Sequence, residues 1–231
     1  MHRYIFIGAL LMQASLAVGS PVCLPGTLQS YISLGAGGCM IGSTSFLNFT
    51  TVPGQSFASI IDPSLVQVLP GPNPDFRFTL NTTAGPGILT ESIFRFSATG
   101  ALGAAGLGLD SASASGDGAA LGILDICPGG SFSGNSPSGC PGGALSGVAF
   151  PGSGTLLTAS GSSFDVFVDL TADGGSAGTA ALGSANVSFN VVNPTAVPEP
   201  AAFWVLGTGL AALGLYRKAS RQTSLKGTKN K

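Results

Sequence analysis

Few residues in this chain could do chemistry. It holds four cysteines (Cys23, Cys39, Cys127 and Cys140), one histidine at His2, and ten carboxylates. Nine of the carboxylates fall between residues 20 and 197: Asp62, Asp75, Glu91, Asp110, Asp117, Asp125, Asp165, Asp169 and Asp173. Only Arg77 and Arg95 oppose them there, so this span carries a formal charge of −7. With no histidine after position 2 and no lysine in the span, Ser-His-Asp, His-zinc, Schiff-base and Ser-Lys chemistry are excluded. Two carboxylates could serve glycoside hydrolysis, but their spacing singles out no pair. Glycine-rich spellings of a phosphate loop carry no weight in a chain with 36 glycines. An acidic span without basic clusters cannot neutralise phosphates, which excludes nucleic acid as a partner. The expectation is a protein that is not an enzyme and needs no cofactor.

Asp165, Asp169 and Asp173 recur every four residues, and Asp117 lies in a Gly-rich stretch. Calcium takes six to eight oxygens, and the chain has no Asp-x-Asp-x-Asp loop. These carboxylates therefore read as a solvated strand face, with no metal bound. The cysteines lack the two-to-four-residue pairing or histidine partners of a zinc site. An even count favours disulfides where a chain folds in an oxidising compartment. Of the three possible connectivities the local one, Cys23–Cys39 with Cys127–Cys140, is preferred. Each bridge would close a loop of about 15 residues, worth about 3 kcal/mol by chain entropy. The second loop is almost wholly Gly, Ser and Pro, a composition that a clamp would hold in place and that otherwise suits disorder.

The elements that must position these residues are strands. Apolar and polar residues alternate at 46–51, 76–80, 93–96, 164–170 and 187–191, bounded by Gly, Pro, Asn and Asp. Weaker strands are expected at 65–69, 105–112 and 121–126. Only 24–34 and 201–216 read as helical. Residues 173–183 read as the loop of a terminal hairpin. About eight short strands without intervening helices predict an all-β, antiparallel β-sandwich or jelly roll with a Phe-rich core.

Each end of the chain carries its own pattern. Met1-His2-Arg3, an apolar run over 4–18 and the small residues Ala17 and Gly19 before Ser20 make a cleaved secretory signal peptide. The other end reads Val197-Pro198-Glu199-Pro200, an apolar run over 201–216, then Arg217, Lys218 and Arg221. As a helix, 201–216 would span about 24 Å, slightly short of the hydrocarbon core. The basic residues would stay on the cytoplasmic side. Pro198 and Pro200 hold the segment before this helix extended, in reach of a protease.

A Val-Pro-Glu-Pro stretch, a short apolar helix and a basic cluster in that order resemble the PEP-CTERM sorting signal of Gram-negative bacteria. The resemblance assigns Pro198, Glu199 and Pro200 to the recognition motif, 201–216 to the membrane segment, and Arg217, Lys218 and Arg221 to the basic stop. It implies that an exosortase, a multi-pass membrane enzyme, reads the tail. It also implies an association with exopolysaccharide and biofilm. The stretch from Cys23 through Gly38-Cys39 to Phe46-Leu47-Asn48-Phe49 is similar to the start of many PEP-CTERM ectodomains.

The expected plan is a signal peptide at 1–19, a β-sandwich ectodomain at 20–196, a sorting and anchor segment at 197–220 and a basic tail at 221–231. The expected function is an exported structural protein of the cell surface or extracellular matrix. A module that binds exopolysaccharide is the alternative. Against that alternative, Trp204 falls in the membrane segment and Tyr31 is the lone tyrosine of the body.

Overall fold

The computed structural model describes residues 20–192. The expected signal peptide, Pro198-Glu199-Pro200, the apolar segment 201–216 and the basic residues Arg217, Lys218 and Arg221 lie outside the described residues. In chain order the elements are β1 (Gly26–Thr27), α1 (Leu28–Leu34), β2 (Cys39–Ile41), β3 (Thr44–Thr51), β4 (Ser59–Ile60), β5 (Gln67–Pro70), β6 (Asp75–Ala84), β7 (Leu89–Ser115), β8 (Ala119–Pro128), β9 (Ser131–Ser133), β10 (Ser136–Ser138), β11 (Leu145–Ala149), β12 (Gly154–Asp173) and β13 (Thr179–Val191). The described residues are mostly β, with one short α-helix. Among the described residues no helix is long and apolar enough to cross a membrane.

One 11-stranded, almost wholly antiparallel sheet folds back on itself. Its hinge is β7, 27 residues long. The first half of β7 lies between β12 and the strands β3 and β4. Its second half pairs with β13, which continues to β6, β5 and β1. On the far side of β12 come β8 and β11. The ladders to β12 and β13 both slip where β7 passes residues 99–104. Gly100 lies in that stretch with φ +153°, a backbone state open to glycine. Such a bend lets one strand belong to both layers of a sandwich. Sequence periodicity shows two strands here, at 93–96 and 105–112, because the small residues between them break the alternation.

The core fills the space between the layers. Phe46, Phe76, Phe78, Phe94, Phe96 and Phe164 are all fully buried. Phe46 of β3 meets Phe76 of β6 at 4.7 Å between centroids, and Phe78 of β6 meets Phe94 of β7 at 4.6 Å. Neither pair belongs to hydrogen-bonded neighbouring strands, so these are contacts from layer to layer. Alternation on β6 and β12 delivers every second side chain to this space.

The helix begins four residues later than the hydrophobic pattern suggests. Pro25 and Gly26 precede it, and Thr27 caps it, its hydroxyl accepting from the Ser30 N–H while Ser30 Oγ accepts from the Thr27 N–H. Both bridges join the cysteines expected, Cys23 to Cys39 and Cys127 to Cys140. The first ties the segment before α1 to β2. Gly38, at φ +54°, lets that junction close, since a Cβ there would fall 2.1 Å from the Phe46 carbonyl oxygen.

The second bridge builds something the sequence does not announce. The Cys127–Cys140 loop contains the β9–β10 hairpin and lays Phe132 on the outer face of the first layer. There Phe132, Phe167, Ile93, Val52 and Cys127 form a second, smaller apolar cluster. The Phe132 N–H donates to Asp165 Oδ2 at 2.7 Å, and Arg95 Nη1 donates to the Phe132 carbonyl. The Gly/Ser-rich loop is thus ordered by a bridge, a buried ring and two charge-assisted hydrogen bonds.

Candidate functional site

The outer face of the first layer carries most of the carboxylates. Ladder register places Asp169 opposite Ile93 on β7 and Ile123 on β8. Glu91 stands opposite Thr171, and Asp125 opposite Phe167, so both are diagonal neighbours of Asp169. Glu91 is fully buried, its Oε2 accepting from the Gln55 N–H at 3.0 Å. Glu91 Oε1 and Asp125 Oδ1 are buried and meet no donor. Thr171 Oγ1 donates to Asp169 Oδ1 at 2.8 Å. Burial, reinforced by the Glu91 and Asp125 charges and opposed by the Thr171 hydroxyl, pushes the Asp169 carboxyl up to about 6.

This row is not a calcium loop. Carboxylates four residues apart on a strand share a face but stand about 13 Å apart. Each of the aspartates raised as a calcium candidate is engaged elsewhere. Asp165 accepts from Phe132 N–H and Ser97 Oγ. Asp173 accepts from the Gly175 N–H. Asp117 accepts from the Ser176 N–H, the Ser176 hydroxyl and the Ala177 N–H, which hold its carboxyl far below the usual range. Among the described residues no three His, Cys, Asp or Glu converge as a metal would require.

The raised Asp169 carboxyl has a measurable consequence. Below about pH 4 both folded and unfolded chains hold this proton. As pH rises from about 4 to 6 the unfolded chain releases it first, so stability falls across that window and then levels off. The contribution is on the order of 2 kcal/mol, allowing for partial exposure. Asp169→Asn keeps the acceptor for Thr171 and should remove that slope, leaving the variant more stable than wild type at pH 7. Urea denaturation at pH 4, 5, 6 and 7 on both proteins checks it. Parallel pH profiles for the two would contradict the assignment.

A different surface lies on the outer face of the second layer. The side chains of Asn81 and Thr83 on β6 and of Ser111 and Ser113 on β7 rise on either side of the small residues Ala181 and Gly183 of β13. The depression continues past Thr83, Ser113 and Ala181 toward Ser115 and Thr179, whose hydroxyls lie 2.8 Å apart. At its other end Asp110 faces Arg77, with Nε 3.6 Å from Oδ2, while Arg77 Nη2 donates to Ser184 Oγ at 3.0 Å. The result is an open trough of hydroxyls and one amide, closed by one balanced ion pair. It has no aromatic platform and no residue suited to nucleophilic attack with a base beside it. None of its hydroxyl and amide residues stood out in the sequence, because Ser, Thr and Ala on alternate positions look like any solvated strand.

Residues 196–218 match the PEP-CTERM protein-sorting motif. The chain carries a PEP-CTERM sorting signal. The match takes in Pro198, Glu199, Pro200, Arg217 and Lys218, and Arg221 lies beyond it. A PEP-CTERM signal marks an exported protein that an exosortase sorts.

No curated protein matches this chain in sequence. Among solved structures, that of TmCBM61 in complex with β-1,4-galactotriose is similar at 8% identity and a TM-score of 0.27, over 71% of this chain and 94% of that one.

Proposed function

We propose that this PEP-CTERM protein is a structural component of the cell surface or extracellular matrix. It is made with a signal peptide at 1–19, held in the membrane by 201–216, and processed by an exosortase that recognises Pro198-Glu199-Pro200. Arg217, Lys218 and Arg221 serve as the basic stop. The observation that carries this reading is the sorting motif placed directly after a disulfide-clamped β domain. Most of the carboxylates that could have done chemistry cap loops or lie in a sheet face, and Asp110 pairs with Arg77. A domain of this kind withstands an oxidising exterior and presents surface rather than reactivity.

Binding of exopolysaccharide is the second reading, and the hydroxyl-lined trough over β6, β13 and β7 favours it. Its polar groups and balanced charge suit a neutral polyhydroxylated chain better than a charged one. Fractionation of the host's extracellular polymer, joined to a glycan array with the purified protein, separates the two. A structural component co-fractionates with polymer and gives a flat array. A binding module gives saturable signals for particular glycans. A protein found in neither the surface nor the polymer fraction would overturn both.

A further inference from the structure

Sheet edges are where a β protein meets other chains, because their backbone N–H and C=O groups lack a ladder. Most edges of this protein are blunted. The strand β1 has two residues, follows Pro25 and leads straight into α1. The strand β5 has four, ends on Pro70 and is followed by Pro72 and Pro74. The two residues of β4 sit between Pro53 and Pro63. The strand β11 is kept to five residues and runs into Pro151.

The first half of β12 is different. Residues 154–158 pair with Gly108 to Ala104 of β7 on one side. On the other side β8 takes up β12 only from Phe164 onward, and β11 pairs with β8 instead. Gly147 of β11 lies against the Thr155 and Leu157 side chains, so β11 crosses the inner face of this segment and leaves its edge open. Among the described residues, Gly154–Thr158 therefore has an unladdered edge of about the usual strand length. The register slip after Thr158 ends the flat run. No proline or charge interrupts it.

Its surroundings are equally unguarded. Leu156 is 62% exposed and Phe150, at the preceding turn, 52%. Val148 adds a third exposed apolar side chain on β11. From Ile126 to Phe164 the chain has no Asp, Glu, Lys, Arg or His, whereas the rest of the body carries all of its formal −7. Two copies meeting across the acidic stretches 62–125 or 165–173 would oppose like charges. Meeting here they oppose none.

We infer that the 154–158 edge of β12 pairs antiparallel with the same edge of a second copy of this protein. The contact is isologous, each edge supplying the donors and acceptors of the other about a two-fold axis. Leu156 and Phe150 of both copies then cover one another. A charged peptide would find no counter-charge on this surface, and the stretch has the uncharged, proline-free composition that pairs with itself. The inference gives the structural reading above a means of assembly and rests on that reading only for its use in the matrix.

Sedimentation velocity of the exported protein purified from its host, over a wide concentration range, tests it. Wild type should shift from monomer to dimer as concentration rises. Leu156→Lys places two like charges across the axis and should weaken association about tenfold or more. Leu65→Lys, at another exposed leucine (66%), serves as the control and should dimerise as wild type does. Equal melting temperatures of the three would assign the change to the edge and not to the fold. A wild type that stays monomeric throughout, or a Leu156→Lys that dimerises unchanged, overturns the inference. Intact masses of the same preparations report separately on sorting, so loss of processing and loss of pairing are distinguishable.

Discussion

Phe76→Ala should lower the stability of the β domain by about 3–5 kcal/mol, among the largest effects of any single core truncation here. The Phe76 ring is fully buried between the layers. Its centroid lies 4.7 Å from Phe46, 5.6 Å from Tyr31, 5.9 Å from Phe49, 6.0 Å from Phe78 and 6.2 Å from Phe96. Four of these five pairs are edge-on, an arrangement worth about 0.5–1.5 kcal/mol per pair beyond area burial. Five aromatic neighbours anchored on β3, β6, β7 and α1 cannot collapse into the space a ring leaves, so the cavity persists. A domain with ordinary stability of about 5–15 kcal/mol would lose a large share of it. Guanidinium denaturation should show a lower midpoint with an unchanged slope. A loss under about 1 kcal/mol would mean that the two layers do not pack through Phe76.

Removing the disulfides should cost as much again. Each bridge closes a short loop, with separations of 16 and 13 residues, and each is worth about 3 kcal/mol in the unfolded-chain account. Cys127→Ala with Cys140→Ala should do more than lengthen a floppy loop. Cys127 is fully buried in the outer cluster, and the loop it closes carries Phe132 and the N–H that meets Asp165. Without the bridge the β9–β10 hairpin keeps only three paired residues per strand, the Phe132 ring and its hydrogen bonds to Asp165 and Arg95. Hydrogen exchange should therefore report lost protection at Phe132 while the β7–β12 ladder stays protected. Removing Cys23 and Cys39 as well should roughly double the stability loss. A four-alanine variant as stable as wild type would contradict this account of the clamps.

Several features of this fold were legible because they rest on local patterns. Strict alternation at 76–80 and 93–96 delivers phenylalanines to one face, and alternation at 164–170 sends Phe164 to the core and Phe167 to the outer face; the structure buries all these rings. Short spacing between cysteines made the local bridges the ones that cost least chain entropy, and those are the bridges formed. The parts that escaped reading are those whose logic is not local. The 27-residue β7 reads as two strands because Gly100 and its small neighbours erase the period where the strand changes layer. The strand β13 begins at Thr179, inside the stretch that read as a hairpin loop, because Ala, Gly and Ser there line the floor of a trough and need no bulk. The small strands β9, β10 and β11 depend on a bridge and on β8 rather than on their own propensity.

The carboxylates teach the same lesson about sites. A four-residue spacing suggests convergence only on a helix. On β12 it spreads Asp165, Asp169 and Asp173 along the face, and each finds its own partner. The burial of Glu91 under Gln55 and the diagonal placement of Asp125 depend on register across three strands and could not be seen from one.

The central claim is that the C-terminal signal directs processing. Intact mass and fractionation of the protein from its native host, beside a variant with Pro198, Glu199 and Pro200 all replaced by Ala, test it most directly. The account predicts a wild-type product lacking residues 1–19 and the tail beyond the motif, recovered outside the inner membrane, with the variant full-length after residue 19 and retained in the membrane. A wild-type chain that keeps residues 201–231 and fractionates as the variant does would contradict it.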